Sequence, residues 1–193
     1  MTAVMAPRFL ASAFASGPAL LILLSLILRR FTRFDAGKEA IQMLAKIVTY
    51  ALVISIFFVL MEIFTVFYSQ IPEHMQPFKY LFVGLEGHDR LVPWMWSAIA
   101  MAGLAVLLLI NPRTRRNEAF LAVACVAVFV SLWIEKGLGL VVTGFIPSPL
   151  EKITEYSPTG PEILITVGVW AMGLLILTIL YKIAVSVKEE GEA

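Results

Sequence analysis

Ala51-Leu52-Val53-Ile54-Ser55-Ile56-Phe57-Phe58-Val59-Leu60 offers a single polar side chain, Ser55. A helix on the surface of a water-soluble bundle shows a polar stripe every three or four residues, and this stretch has none. Extended both ways, the apolar character covers 44–68, enough for an α-helix to cross a hydrocarbon layer, which takes about 20 residues for roughly 30 Å. Four more stretches meet that requirement: 9–28, 92–110, 120–142 and 163–185. The expected fold is an all-α integral membrane helical bundle of about five transmembrane helices, with 1–193 forming a single transmembrane domain.

Composition agrees with a bilayer as the solvent. Of 193 residues, 60% are hydrophobic and 15% charged, and the mean hydropathy is +0.88, more apolar than one soluble core requires. A formal net charge of +1 gives neither a broad basic surface for nucleic acid nor an acidic tail for a cationic partner. The one cysteine, Cys125, lies in an apolar run, where it reads as packing; it can neither close an internal disulfide nor supply a cluster's thiolate set. The first apolar run ends in Arg29 and Arg30 without the short core and cleavage site of a secretory signal, so a retained span is expected.

Charge by position sets the orientation. Arg29, Arg30, Arg33 and Lys38 fill the first connection and Arg113, Arg115 and Arg116 the third, whereas the second and fourth are mixed. The positive-inside bias then places the first and third connections in the cytoplasm and the N-terminus, 69–91 and 143–161 outside. The C-terminus, with Lys182 and Lys188, is cytoplasmic. Tyr68, Tyr80, Trp94, Trp96 and Tyr156 gather at the outer interface, where amphipathic rings are well solvated at both ends. The expected location is the cytoplasmic (inner) membrane, crossed several times.

Within the first span, Ala11-Ser12-Ala13-Phe14-Ala15-Ser16-Gly17 sets small residues four apart, which allows close helix approach. Pro18 removes the usual donor to the Phe14 carbonyl and predicts a bend, either an ordinary kink in a packing seam or the lining of a cavity.

An ionisable group at the bilayer centre costs about 2.5–3.5 kcal/mol on insertion scales, so each one inside a span calls for a reason. Glu62 in the second span and Glu135 with Lys136 in the fourth share a depth in the outer half, and Arg8 and Glu162 flank the outer ends of the first and fifth spans. Glu62, Glu135, Lys136 and Arg8 are the candidate proton-transfer or quinol-pocket residues. The plainer alternative has Lys136 snorkelling outward, Glu135 paired with a neighbouring cation, and Arg8 and Glu162 in the headgroup layer. Glu62 has no basic residue within a helical turn, so its partner has to come from another helix or from water. His74 and His88 both fall in 69–91, away from any span, so the chain has no pair of histidines on facing helices to hold haem. With no phosphate-binding glycine loop, zinc-ligand pair or nucleophile motif, no catalytic or metal-binding residue is assigned. The proline-stiffened stretch from Gly144 to Pro158 is either a docking platform or a plain connector.

Several separated motifs carry a resemblance: Pro7-Arg8-Phe9-Leu10-Ala11-Ser12-Ala13-Phe14-Ala15-Ser16-Gly17-Pro18, Phe67-Tyr68-Ser69, Val92-Pro93-Trp94-Met95-Trp96, Asn111-Pro112-Arg113, and Glu135-Lys136-Gly137-Leu138-Gly139 running into Gly144-Phe145-Ile146-Pro147-Ser148-Pro149. Together they resemble the C-terminal half of the NrfD/polysulfide reductase membrane-subunit family, in its DsrP/HmcC-like branch. The resemblance implies a membrane subunit of a respiratory redox complex, part of a menaquinol-linked oxidoreductase and not a complete enzyme. Such a subunit exchanges electrons between menaquinol and a periplasmic iron-sulfur partner of several clusters, alongside a multihaem cytochrome c and other membrane subunits, in anaerobic sulfate or sulfur respiration. It implies no haem or metal bound by this chain, and menaquinone/menaquinol as substrate of the full subunit. Family members have about twice as many helices in two bundles, which makes this chain the expected second bundle of a longer subunit. An outside N-terminus fits an odd number of preceding spans. In the family the quinone pocket lies mainly in the first bundle, so no quinone ligand carries over residue by residue. The alternative is a proton-translocating or scaffolding membrane module without redox chemistry of its own. A conduction path needs ionisable groups at several depths, and the inner halves of the spans lack such a series.

Overall fold

In the structure, a computed structural model, residues 5–31, 36–85, 87–145 and 158–191 are described. Their regular structure is helical, apart from an isolated bridge between Leu85 and His88. The chain divides into two compact units, Met1–Glu155 and Tyr156–Ala193. The first holds α1 (Met5–Phe31), α2 (Lys38–Ser69), α3 (Pro72–Phe82), α4 (Val92–Ile110), α5 (Pro112–Arg116) and α6 (Glu118–Ile134). A π-helical segment, Glu135–Val142, and a 3₁₀ turn, Thr143–Phe145, continue α6. The second holds α7 (Gly160–Gly191). Five helices are long and apolar enough to cross a membrane: Met5–Phe31, Lys38–Ser69, Val92–Ile110, Glu118–Val142 and Gly160–Val187.

Helix limits follow local chemistry. α3 and α4 carry proline in their first turns, where its fixed φ suits the helix and its missing N–H costs no bond. The side chains of Asn111 and Asn117 accept from the backbone N–H groups of Arg113 and Ala119, each at 3.0 Å, and so start α5 and α6. α2 stops at Gln70, whose left-handed φ of 51° turns the chain away.

In the first unit α1 lies against α2 and α6, and α4 against α6 and α2. The buried face of α1 is Arg8, Ser12, Ala15, Ala19 and Ile22, a stripe at helical spacing. Ala15 and Ala19 meet further small residues, Ala45, Ala51, Ala105, Ala124 and Ala127, in the same core, where close backbone approach replaces the hydrophobic drive that lipid does not supply. Ser131 of α6 donates to the Ala98 carbonyl of α4 at 2.9 Å, a buried bond between helices. Leu10, Phe14, Phe57, Phe64 and Leu107 point outward, as a hydrocarbon surround permits. α1 remains one helix through Pro18.

α3 lies within the expected connection 69–91 and is too short and polar to register as a span. It rests on α4, where Tyr80, Leu81, Leu91, Met95, Ala98 and Ile134 form a second core. Trp96 Nε1 donates to the Phe82 carbonyl at 3.3 Å. Tyr80 is only 1% exposed, held in this core, whereas Tyr68, Trp94 and Trp96 are exposed. In α7, Glu162 reaches back to accept from the Thr159 N–H at 2.7 Å, one arm of a capping box, and this accounts for its place at the helix start. Arg33, 146–157 with Pro147, Thr154 and Tyr156, and the Lys188 side chain lie outside the described residues.

Candidate functional site

Three helical segments of the first unit bring their ionisable residues to one point. Arg8 enters from the first turns of α1, on the same buried face as Ser12 and Ala15. Glu62 comes from α2, at helical spacing from the buried Leu52, Ser55 and Val66. Glu135 opens the π-helical segment, and Lys136 follows it.

The Arg8 guanidinium joins the two carboxylates. Nη1 donates to Glu62 Oε2, and Nη2 donates to Glu135 Oε1, which also accepts from Nε at 3.1 Å. A planar fork of donors can address two acceptors at once, which an ammonium on a flexible stem does less well. Lys136 Nζ lies 3.5 Å from Glu135 Oε1 and 4.5 Å from the centroid of the Phe9 ring, so it closes the cluster at its edge. Ser12, one turn beyond Arg8, turns its hydroxyl back to the Phe9 carbonyl at 2.8 Å.

Arg8 and Glu62 are each 7% exposed, and Glu135 and Lys136 are half-buried. With all four ionised the cluster is neutral, two carboxylates against two cations, which is the condition under which buried charges are tolerated. All four candidates from the sequence are thus gathered in one network, and Glu62 finds its partner on another helix. Arg8 is buried within the bundle.

Chemically, two carboxylates in contact with one guanidinium can hold or release a proton, and Lys136 at the edge can donate to an incoming oxygen. The histidines contribute elsewhere: His74 is exposed on α3, and His88 pairs backbone to backbone with Leu85. Two features escaped the sequence reading. The π-helical segment has no signature in hydropathy, and Gly139 within it sits where a Cβ would come 3.2 Å from Met95 Sδ, so α4 packs against bare backbone. Thr143 donates to the Gly139 carbonyl and fastens the end of the segment.

A family model, Polysulphide reductase, NrfD, matches residues 1–147, a range that includes all four residues of the cluster. A Halobacterium salinarum protein named as a membrane subunit of dimethyl sulfoxide reductase is similar at 28% identity over 199 residues, covering 90% of this chain. The chain spans 43% of that protein's length.

Proposed function

This chain belongs to the NrfD family of polysulphide reductase membrane subunits and is a multi-pass membrane subunit of a redox complex, and from that premise we propose that it serves electron exchange between menaquinol and a periplasmic iron-sulfur partner. The setting proposed is the inner membrane in anaerobic sulfate or sulfur respiration, with a multihaem cytochrome c and other membrane subunits beside it. The N-terminus is outside and the C-terminus cytoplasmic, and residues 1–193 are one transmembrane domain, the second bundle of a longer subunit. Its length relative to the Halobacterium salinarum protein is in keeping with that reading.

The observation that carries the proposal is the buried cluster of Arg8, Glu62, Glu135 and Lys136. Quinol oxidation releases protons along with electrons, and carboxylates held in an apolar bundle are suited to receive them. When bound, the quinol supplies the redox chemistry. Glu62 and Glu135 are placed to take the proton, Arg8 holds their carboxylates in position, and Lys136 offers a donor at the cluster's edge.

The test is Glu62→Gln in the assembled complex, which keeps the shape of the side chain and a hydrogen-bond acceptor while removing the base. Menaquinol turnover should fall by roughly 10²–10⁴-fold, the range for loss of a general base, with assembly unchanged. Wild-type turnover would remove Glu62 from the mechanism. A second reading, scaffolding without redox chemistry, is favoured by the same cluster's charge balance, since three helical segments are tied by it. Glu62→Ala and Glu135→Ala variants that lose assembly but retain turnover in the complex that does form would select that reading.

A further inference from the structure

The other end of the helices in the first unit carries a different constellation. α5 turns between α4 and α6 and touches the start of α2, where Gln42 Nε2 donates to the Arg115 carbonyl at 3.1 Å. Arg115 folds inward: Nη1 donates to the Leu109 carbonyl at 3.2 Å, and Nε is buried with no hydrogen-bond partner. Arg113 and Arg116 are exposed on either side of Arg115 along α5 and make no ion pair among the described residues. Lys38 lies one turn before Gln42 on the same face of α2. The carboxylates on these elements are Glu39 and Glu118, and Glu118 is held by Arg29 at 2.9 Å.

We infer that this turn is a binding site for the phosphate of an anionic glycerophospholipid. The guanidinium groups of the exposed Arg113 and Arg116, three residues apart on α5, are the donors, and Lys38 adds charge. Two observations choose a lipid over a free anion. Along α1, the rise from Arg8 to Arg29 is roughly 30 Å, the thickness of a hydrocarbon core, and Arg29 pairs with Glu118, two residues past the end of α5, which puts α5 at headgroup depth. Leu107 and Ile110 of α4 and Phe120 of α6 are exposed next to the turn and offer an apolar surface to acyl chains hanging from that phosphate. Basic pockets between membrane helices at this depth bind anionic headgroups by the same combination.

The experiment uses the full chain in detergent, equilibrated with equal amounts of phosphatidylglycerol and phosphatidylcholine, re-purified, and its retained lipid quantified by mass spectrometry. Phosphatidylglycerol should be enriched on the wild type. Arg113→Gln and Arg116→Gln should each lower the enrichment about fivefold, the weight of one cation near an anionic lipid. Both side chains are exposed, so helical content should not change. Lys79→Gln on α3 should leave it intact. Equal retention of the two lipids by the wild type, or undiminished enrichment in the two arginine variants, overturns the inference. Displacement of the lipid by millimolar inorganic phosphate would also overturn it, by showing a site for free anions.

Discussion

Arg8 holds two carboxylates that come from two other helical segments, and the consequence is asymmetric. Removing Arg8 leaves two carboxylates against the one cation Lys136 within the cluster, whereas neutralising Arg8 together with Glu62 leaves Glu135 and Lys136 as a balanced pair. Arg8→Met should therefore destabilise the protein by roughly 3–5 kcal/mol, and Arg8→Met combined with Glu62→Gln should recover most of that loss. Thermal unfolding in detergent of the single and double variants decides it, and equal destabilisation of both would show that the network contributes packing and not charge compensation. Arg8→Lys should rescue only in part, because an ammonium cannot span both carboxylates as the fork does. Much of this was legible in the residues. Glu62, with no cation within a turn, required a partner from elsewhere, and the shared depth of Glu62, Glu135 and Lys136 pointed to one cluster. Which helix supplied the partner was not legible, since pairs 54 and 127 residues apart depend on how helices pack and not on local pattern.

At the scale of elements, the fourth span changes character where it meets the cluster. α6 gives way to the π-helical segment at Glu135, and Gly139 lets Met95 lie against the backbone. Gly139→Ala should be tolerated because the far end of Met95 can shift, while Gly139→Val should cost about 1–3 kcal/mol by overpacking and be relieved by Met95→Ala. Unfolding of the single and double variants measures the coupling, and additive losses would mean that the two residues do not share space. Nearby, Ser131→Ala removes the bond to the Ala98 carbonyl and should cost about 0.6 kcal/mol, the mean for such bonds between membrane helices. The five long helices were readable from hydropathy because each needs a continuous apolar run. α3 and the π-helical segment were not, since a short helix with Pro77, Lys79 and Glu73 looks like a connection, and a wider turn leaves composition unchanged.

For the molecule as a whole, the distribution of arginines gives a prediction of sidedness. A lone cysteine introduced at His88 should react with an impermeant maleimide in intact cells, and one at Arg113 only after permeabilisation, while Cys125 is buried and contributes little background. The reverse pattern would invert the proposed topology. The reading as a second bundle is checked by the intact mass of the native subunit: a value near double 21.4 kDa supports it, and a value matching this chain removes it.

The order in which the charges are synthesised adds a temporal side to the Arg8 network. Glu62 follows Arg8 by 54 residues and Glu135 by 127, so at about 5–20 residues per second the last partner arrives roughly 6–25 s after the first. During that interval Arg8 and Glu62 can neutralise each other as soon as the second helix leaves the ribosome, whereas Glu135 has no place in the network until the fourth is made. Biogenesis would then pass through a hairpin of the first two helices released into lipid as a pair, with Glu135 as the latch that closes it. A ribosome stalled before Glu135 should hold that hairpin already inserted, and Glu62→Ala should delay its release from the insertion machinery.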